Sequence, residues 1–132
     1  MNTWHSVHGP EGQLLFDRMR YARSSRSRLR GLLGRTSLPP GEGLAFREKS
    51  IHMFFMRMSL DIVFCDADME IVRVVPELGP WRAAGARRAR YALEIGPGEA
   101  ARLGLHEGMT LNVEPAFERR ARRLDVSPLT KA

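Results

Sequence analysis

Short apolar runs alternate with clusters of glycine, proline and polar residues along most of the chain. The clearest two runs, 60–65 and 71–75, are rich in valine and isoleucine and are separated by a polar turn over 66–70. Because β-branched residues favour strands, this pattern predicts a β-hairpin. A second hairpin is predicted from the runs 4–7 and 13–18, which enclose a turn containing glycine and proline.

The other apolar runs predict further strands and two short helices. Alternation of large apolar residues in 91–95 is typical of a half-buried strand, whereas 51–56 has bulky residues on both faces and predicts a strand buried on both sides. The remaining predictions are brief strands at 43–46 and 109–113, a short helix at 99–103 and an exposed loop at 77–90. A further helix is predicted with Ser24 or Ser25 as its N-cap, Leu29, Leu32 and Leu33 on one face, and Gly34 at its end.

About seven short strands with closely spaced turn signals favour an all-β fold over alternating βαβ units. We therefore expect a mainly-β fold class, a small antiparallel β-barrel or sandwich with one or two short helices. Residues 1–114 are expected to form a single barrel-like domain. A basic tail, either a frayed helix or disordered, is expected over 115–132.

The composition is that of a soluble globular protein: 132 residues are 43% hydrophobic and 27% charged, with a formal net charge of +6. Cys65 is the only cysteine, so no internal disulfide can form, which fits a reducing compartment. The N-terminal residues lack the apolar core of a signal peptide, and polar residues interrupt the most apolar stretch, 51–64, which excludes it as a membrane span. These features predict a cytoplasmic protein with no membrane partner.

Three polar side chains, those of His52, Arg57 and Asp61, interrupt the apolar stretch 51–64. Burying an unpaired charge is costly, so Arg57 and Asp61 must be paired, hydrogen-bonded or exposed. A corner between two strands would allow them to meet. His52 could be a ligand-binding group, a base, or a core histidine with an ordinary structural hydrogen bond.

Several spaced motifs resemble the domain-of-unknown-function 192 family over about residues 4–113. They are Gly31-Leu32-Leu33-Gly34-Arg35, Gly43-Leu44, the block from Ile51-His52 through Phe64-Cys65-Asp66, Leu93-Glu94-Ile95-Gly96-Pro97-Gly98, and Gly104 with Gly108. Three positions depart from the usual family residues, namely Ser59 for proline, Met53 for threonine and Met69 for glycine. The resemblance implies a compact β-barrel-like or sandwich domain and no particular activity. By matching position, it suggests a shared ligand site formed by His52, Met56, Arg57, Asp61 and Glu94.

Motifs for familiar enzyme chemistry are missing from the sequence. It contains no Cys-x-x-Cys pair, P-loop, His-Glu-x-x-His or Gly-x-Ser-x-Gly, and its four histidines are scattered. Cys65 lies in an apolar run and is interpreted as a core residue. We therefore expect no metal, no cofactor and no catalytic residue, although enzyme activity stays open.

Three functions remain possible on these grounds. The first is a non-enzymatic binding module that holds a small anionic ligand or a protein partner at the site implied by the resemblance. The second is nucleic-acid binding through arginine clusters, with stacking by Trp4, Tyr21 and Trp81; the arginines are Arg23, Arg26, Arg28, Arg30, Arg87, Arg88 and Arg90. The third is a small hydrolase in which His52 acts as base and Asp61 orients it. The arginine excess itself has two explanations, phosphate or carboxylate binding and a coding bias towards arginine.

Overall fold

A computed structural model describes residues 4–23, 32 and 34–118. Within these residues the chain forms nine strands and a short helix. The strands are β1 (Trp4–His8), β2 (Leu14–Ala22), β3 (Glu42–Phe46), β4 (Ser50–His52), β5 (Leu60–Cys65), β6 (Ile71–Leu78), β7 (Ala83–Gly85), β8 (Tyr91–Ile95) and β9 (Asn112–Glu114), and the helix is α1 (Glu99–Arg102).

Seven strands form one curled sheet in the order β6-β5-β8-β3-β2-β1-β9, and β4 pairs with β7 in a separate small sheet. The two ends of the large sheet approach each other, because the start of β6 bonds to the segment that leads into β9. The Ile71 N–H donates to the Met109 carbonyl at 2.8 Å, and the Leu111 N–H donates to the Met69 carbonyl at 2.9 Å. These bonds draw the sheet into a barrel-like form.

The large sheet is covered on both faces, so β5 and β8 are buried along their whole length. One apolar cluster includes Val63 and Leu93, and the other includes Ile62 and Phe64. Because successive residues of a strand point to opposite faces, these two clusters lie on opposite sides of the sheet. The prediction that 91–95 is half-buried is therefore wrong, since the polar Glu94 on the second face is buried as well.

The prediction of a mainly-β fold is confirmed, with two changes to the detail. The described residues hold nine strands rather than seven, and β2 pairs with β3 in parallel, whereas the other paired strands are antiparallel. Both predicted hairpins form, as β1–β2 and β5–β6, and the predicted helix at 99–103 forms as α1. The helix predicted between Ser24 or Ser25 and Gly34 lies outside the described residues except for Leu32, which is helical.

The chain from 49 to 90 differs most from prediction. The strand expected over 51–56 ends at His52, and the loop expected over 77–90 contains both the end of β6 and the whole of β7. These two corrections belong together, because β4 and β7 pair with each other. A strand three residues long is too short to show a hydrophobic period in the sequence.

The chain beyond β9 continues to pack against the barrel as far as the structure describes it. The Phe117 ring stacks on the Tyr21 ring with centroids 5.1 Å apart. Residues 119–132 lie outside the described part, so the division into a domain over 1–114 and a tail over 115–132 stays a prediction. Among the described residues, no helix has the length and apolar character needed to cross a membrane.

Candidate binding surface

Asp61 is a buried structural group that joins three separate segments. Its side chain lies on β5 and is 0% exposed. Its Oδ1 accepts the Glu77 N–H at 2.8 Å, and its Oδ2 accepts the N–H groups of Gly98 at 3.1 Å and Ala100 at 2.9 Å. The last two donors belong to the first turn of α1, whose N–H groups have no partner within the helix. Asp61 thus caps α1 from a neighbouring strand, in place of the missing side chain of Gly98.

Glu94 lies on the opposite face of the sheet from Asp61. Asp61 is paired with Ile95, whereas Glu94 is paired with Ile62 on one side and Leu44 on the other. Because directly paired residues share a face and successive residues alternate, the two carboxyl groups point into different apolar clusters. Glu94 is also 0% exposed. The structure therefore does not bring these two acids to one solvent-accessible place.

The other three residues of the suggested site lie on or beside the small sheet. Met56 is buried in the second apolar cluster, whereas His52 and Arg57 are exposed. The hydrolase alternative gains no support from this geometry, because both Asp61 oxygens are engaged by backbone N–H groups beneath the surface. Of the five suggested residues, His52 and Arg57 are the two that reach solvent.

His52 lies at one end of an exposed group of aromatic rings. The rings of His52 and Phe54 stack with centroids 4.4 Å apart and planes inclined by 26°, and Phe54 stacks in turn on Trp81 at 5.6 Å and 28°. Phe55 meets Trp81 edge to face at 4.9 Å. Phe55 and Trp81 are 61% and 59% exposed, although rings of this size are normally buried.

Two β-turns hold these rings beside one another. In the turn over 53–56 the Met56 N–H donates to the Met53 carbonyl, and in the turn over 79–82 the Arg82 N–H donates to the Gly79 carbonyl. The turns are joined by two further bonds, from the Met53 N–H to the Arg82 carbonyl at 2.7 Å and from the Trp81 N–H to the Met53 carbonyl at 2.8 Å. The rings are therefore fixed to a bonded backbone framework.

Each turn has an aromatic residue where glycine is preferred. The third residues of the two turns, Phe55 and Trp81, have φ values of 66° and 65°. A positive φ at this position is the mark of a type II turn, which glycine adopts without steric cost. A residue with a side chain adopts this conformation at a cost of roughly 1–2 kcal/mol. Strain of this kind, together with large exposed rings, is typical of a functional surface.

The chain that builds this surface is strongly basic. Segments 49–58 and 79–90 carry six lysine and arginine residues and no aspartate or glutamate. The side chains of Arg57, Arg82, Arg87 and Arg88 are exposed, and none forms an ion pair with an acid in the part of the chain that the structure describes. We name the rings of His52, Phe54, Phe55 and Trp81, with Arg57 and Arg82, the aromatic–basic surface.

The arginines suggested for nucleic-acid binding are divided by the fold. Arg87 and Arg88 lie at the end of the small sheet away from the aromatic rings, and Arg90 precedes β8. Arg23 is exposed at the end of β2, whereas Arg26, Arg28 and Arg30 lie outside the described residues. Of the three suggested stacking residues, Trp81 belongs to the aromatic–basic surface, and Trp4 and Tyr21 lie on the large sheet.

Sequence reasoning missed Phe54, Phe55 and Arg82 as surface residues. It placed the two phenylalanines in a strand buried on both sides, because bulky apolar residues are usually buried. The nearest signal was Trp81, a large aromatic residue following Gly79-Pro80 in a segment predicted to be exposed. A tryptophan in a turn predicts an exposed ring, but the sequence does not show which segment lies beside it.

A separate cavity of about 460 Å³ lies between the 67–69 turn and the chain over 110–118. Next to it, Glu118 accepts hydrogen bonds from the Tyr91 and Tyr21 hydroxyls at 2.7 and 2.9 Å. Burial and these bonds raise the pKa of both phenols, that of Tyr91 to about 12. Burial raises the pKa of Glu118, but the bonds from the two tyrosines and the charge of Arg47 outweigh this effect and lower it. The hydrogen bonds from Tyr21 on β2 and Tyr91 on β8 to Glu118 hold the chain after β9 against the large sheet.

The described residues outside this surface offer neither a reactive cysteine nor a metal-binding cluster. Cys65 is fully buried, and burial raises the pKa of its thiol, so it is an inert core residue. Nowhere in residues 4–23, 32 and 34–118 do three histidine, cysteine, aspartate or glutamate side chains approach closely enough to share a metal ion.

The fold and the surface define a small barrel-like β domain with an exposed group of aromatic and basic side chains. A sequence model of the domain-of-unknown-function 192 family, described as an uncharacterised ACR, matches residues 7–113, and the chain belongs to this family. The resemblance found in the sequence is thereby confirmed. No curated protein matches the chain.

Two crystal structures are similar to this one over most of the chain. A protein of unknown function from Novosphingobium aromaticivorans DSM 12444 is 28% identical, with a TM-score of 0.69 and coverage of 84% of each chain. A putative transcription regulator from Sinorhizobium meliloti 1021 is 22% identical, with a TM-score of 0.70 and coverage of 83% of this chain and 92% of that one. The second likeness shows the fold alone.

Proposed function

We propose that this protein is a non-enzymatic binding module and that it holds an anionic partner on the aromatic–basic surface. The observation that carries the proposal is the pair of bonded turns, each presenting an exposed aromatic ring from a residue with positive φ. Keeping large rings in water and adopting a strained backbone both lower stability. A binding partner that covers the rings would offset both costs.

The charge of the surface supports an anionic partner. Arg57 and Arg82 form no ion pair with an acid in the described part of the chain, so their positive charges stay uncompensated, and like charges repel each other in the free protein. An anion relieves that repulsion and accepts hydrogen bonds from the planar guanidinium groups. His52 and Arg57 take part directly in this proposal, whereas Met56, Asp61 and Glu94 are buried and have no direct part in it.

Binding of labelled anionic polymers at low salt tests the proposal. Poly-glutamate and oligothymidylate serve as probes, and fluorescence anisotropy measures binding. We expect Arg57→Ala and Arg82→Ala each to weaken the binding of at least one probe by several-fold, because each removes one uncompensated charge. Arg18→Ala is the matched control, because Arg18 is an exposed arginine on β2 that pairs with Asp17 at 3.7 Å.

Two outcomes would contradict the proposal. One is the absence of binding to any anionic probe at low salt. The other is an equal loss in Arg18→Ala, which would mean that total charge, and not this surface, holds the probe. The cytoplasmic location expected from the sequence stays a prediction.

A further inference from the structure

We propose that the anionic partner is a single-stranded nucleic acid, with bases stacked on the aromatic rings and phosphates bound by the neighbouring arginines. This inference rests on the proposed function and names the class of partner. It uses three features of the aromatic–basic surface, which are the orientation of its rings, the placement of its cations and its small size.

Three rings of the surface form a stacked series that a base can extend. His52, Phe54 and Trp81 stack one on the next, with 26° and 28° between neighbouring planes and centroids 4.4 and 5.6 Å apart. A base joins such a series by lying flat against its terminal ring, and every base has a flat face to offer. Although Phe54 stacks on the Trp81 indole and Phe55 meets it edge to face, 59% of Trp81 stays exposed, and this exposed part of the indole is the area offered for the contact.

Cations are placed to follow the backbone of a bound strand. Arg82 comes directly after Trp81, and Arg57 lies two positions after Phe55. Two further exposed arginines outside the aromatic–basic surface, Arg87 and Arg88, follow β7 at the other end of the small sheet, about 10 Å away at the usual rise of a strand, where a longer bound strand would reach them. Stacking rings with arginines spread along one short sheet form the combination that binds single strands with little sequence preference.

Other anionic polymers fit these features less well. In a duplex the bases are paired and stacked within the helix, so their faces are not accessible to the rings. An acidic peptide would satisfy the arginines, but it has no flat aromatic faces to stack on the rings of this surface. The surface is also small, which suits a few nucleotides and is near the lower limit of about 4 nucleotides for single-strand sites.

The fluorescence of Trp81 provides the direct measurement. The protein has two tryptophans, so the titrations use a Trp4→Phe background in which Trp81 alone reports. The probes are an oligothymidylate of about 12 nucleotides, an abasic oligomer of the same length, the thymidylate paired in a duplex, and poly-glutamate. We expect the oligothymidylate to quench Trp81 and to bind about 10-fold more tightly than the abasic oligomer, since stacking depends on the bases.

Variants separate stacking from charge. Because Trp81 variants lack the fluorescent reporter, the anisotropy of labelled oligomers measures their binding. Trp81→Leu is expected to abolish the preference for thymidylate over the abasic oligomer, and Trp81→Phe to keep part of it. Binding by four arginines predicts a slope of about −3 for the logarithm of affinity against the logarithm of salt concentration, and Arg57→Ala is expected to reduce the slope by about 0.7. Trp4→Ala is the control for loss of an exposed tryptophan elsewhere, because Trp4 lies on β1.

The outcomes distinguish this inference from the proposed function. If the abasic oligomer, the duplex or poly-glutamate binds as tightly as the thymidylate, and the arginine variants still weaken binding, the single-strand inference is overturned and the anion-binding module stands. If none of the probes binds at low salt, both fail. A thymidylate preference that depends on Trp81 supports both.

Discussion

Asp61→Asn provides the sharpest test of the structural role given to this carboxyl group. The substitution keeps the shape of the side chain but replaces one acceptor oxygen with an NH₂ group. If the amide oxygen keeps the two N–H bonds at the start of α1, the new NH₂ group faces the Glu77 N–H across the 2.8 Å of the former hydrogen bond. A donor then meets a donor at a fully buried position.

The expected cost follows from the hydrogen bonds. A bond to a charged group contributes about 1.5–3 kcal/mol, and the bond to the Glu77 N–H is lost completely. The two remaining bonds weaken as the acceptor becomes neutral, and easier burial of a neutral group offsets part of the loss. We therefore expect a decrease of about 3 kcal/mol in the free energy of unfolding. For a domain of this size that is a decrease of roughly 12 °C in Tm.

Urea unfolding of wild type and Asp61→Asn, followed by circular dichroism, measures this free energy. Asp17→Asn is the matched control, since the Asp17 side chain is 60% exposed and its substitution is expected to cost less than about 0.5 kcal/mol. The slope against urea should be unchanged, because the same surface is exposed on unfolding. An Asp61→Asn protein as stable as the control would refute the reasoning and return Asp61 to the candidates for ligand binding.

Three further predictions concern other sites. Trp81→Gly should be about 1 kcal/mol more stable to urea than Trp81→Ala, because glycine adopts the positive φ of 65° without strain; the reverse order would contradict the turn geometry. Gly96→Ala should lower the free energy of unfolding by about 1–3 kcal/mol, because the new Cβ would lie 2.5 Å from the Leu38 carbonyl oxygen. Gly79→Ala is the control and should change Tm little, because the nearest atom to its Cβ is 3.8 Å away. Glu118→Gln should lower the pKa of Tyr91 from about 12, measured by ultraviolet absorbance. The pKa of Glu118 in the folded protein lies below 4.5, so the ionised Glu118 stabilises the fold fully above that pH, and this stabilisation is lost as the carboxylate is protonated at lower pH. The difference in Tm between wild type and Glu118→Gln should therefore shrink below pH 4.5.

Much of the fold was predictable because its strongest signals are local. The β5–β6 hairpin has β-branched residues on both strands and a polar turn between them, and Asp66 supports that turn by accepting the Asp68 and Glu70 N–H groups. The glycines around Pro97 also marked the end of β8 correctly. Such features depend on residues a few positions apart, which a sequence displays directly.

The candidate site was predicted less well because its members are set by long-range packing. His52 and Arg57 were identified as unusual residues and do reach solvent. Asp61 was identified on the same grounds, but its donors lie 16 to 39 positions away in the chain. The Met53–Arg82 bond that holds the two aromatic turns together is equally remote in sequence.

The sequence by itself determined that this chain forms a small β domain of a known family, where its main hairpins lie, and that polar residues interrupt its most apolar stretch. Only the tertiary structure decided what those residues do. A shift of one position along a strand exchanges one face for the other, so the pairing of β5 with β8 sends Asp61 and Glu94 to opposite sides of the sheet. The pairing of β4 with β7 likewise places Phe54 beside Trp81, because that contact depends on two turns that meet only after the chain has folded.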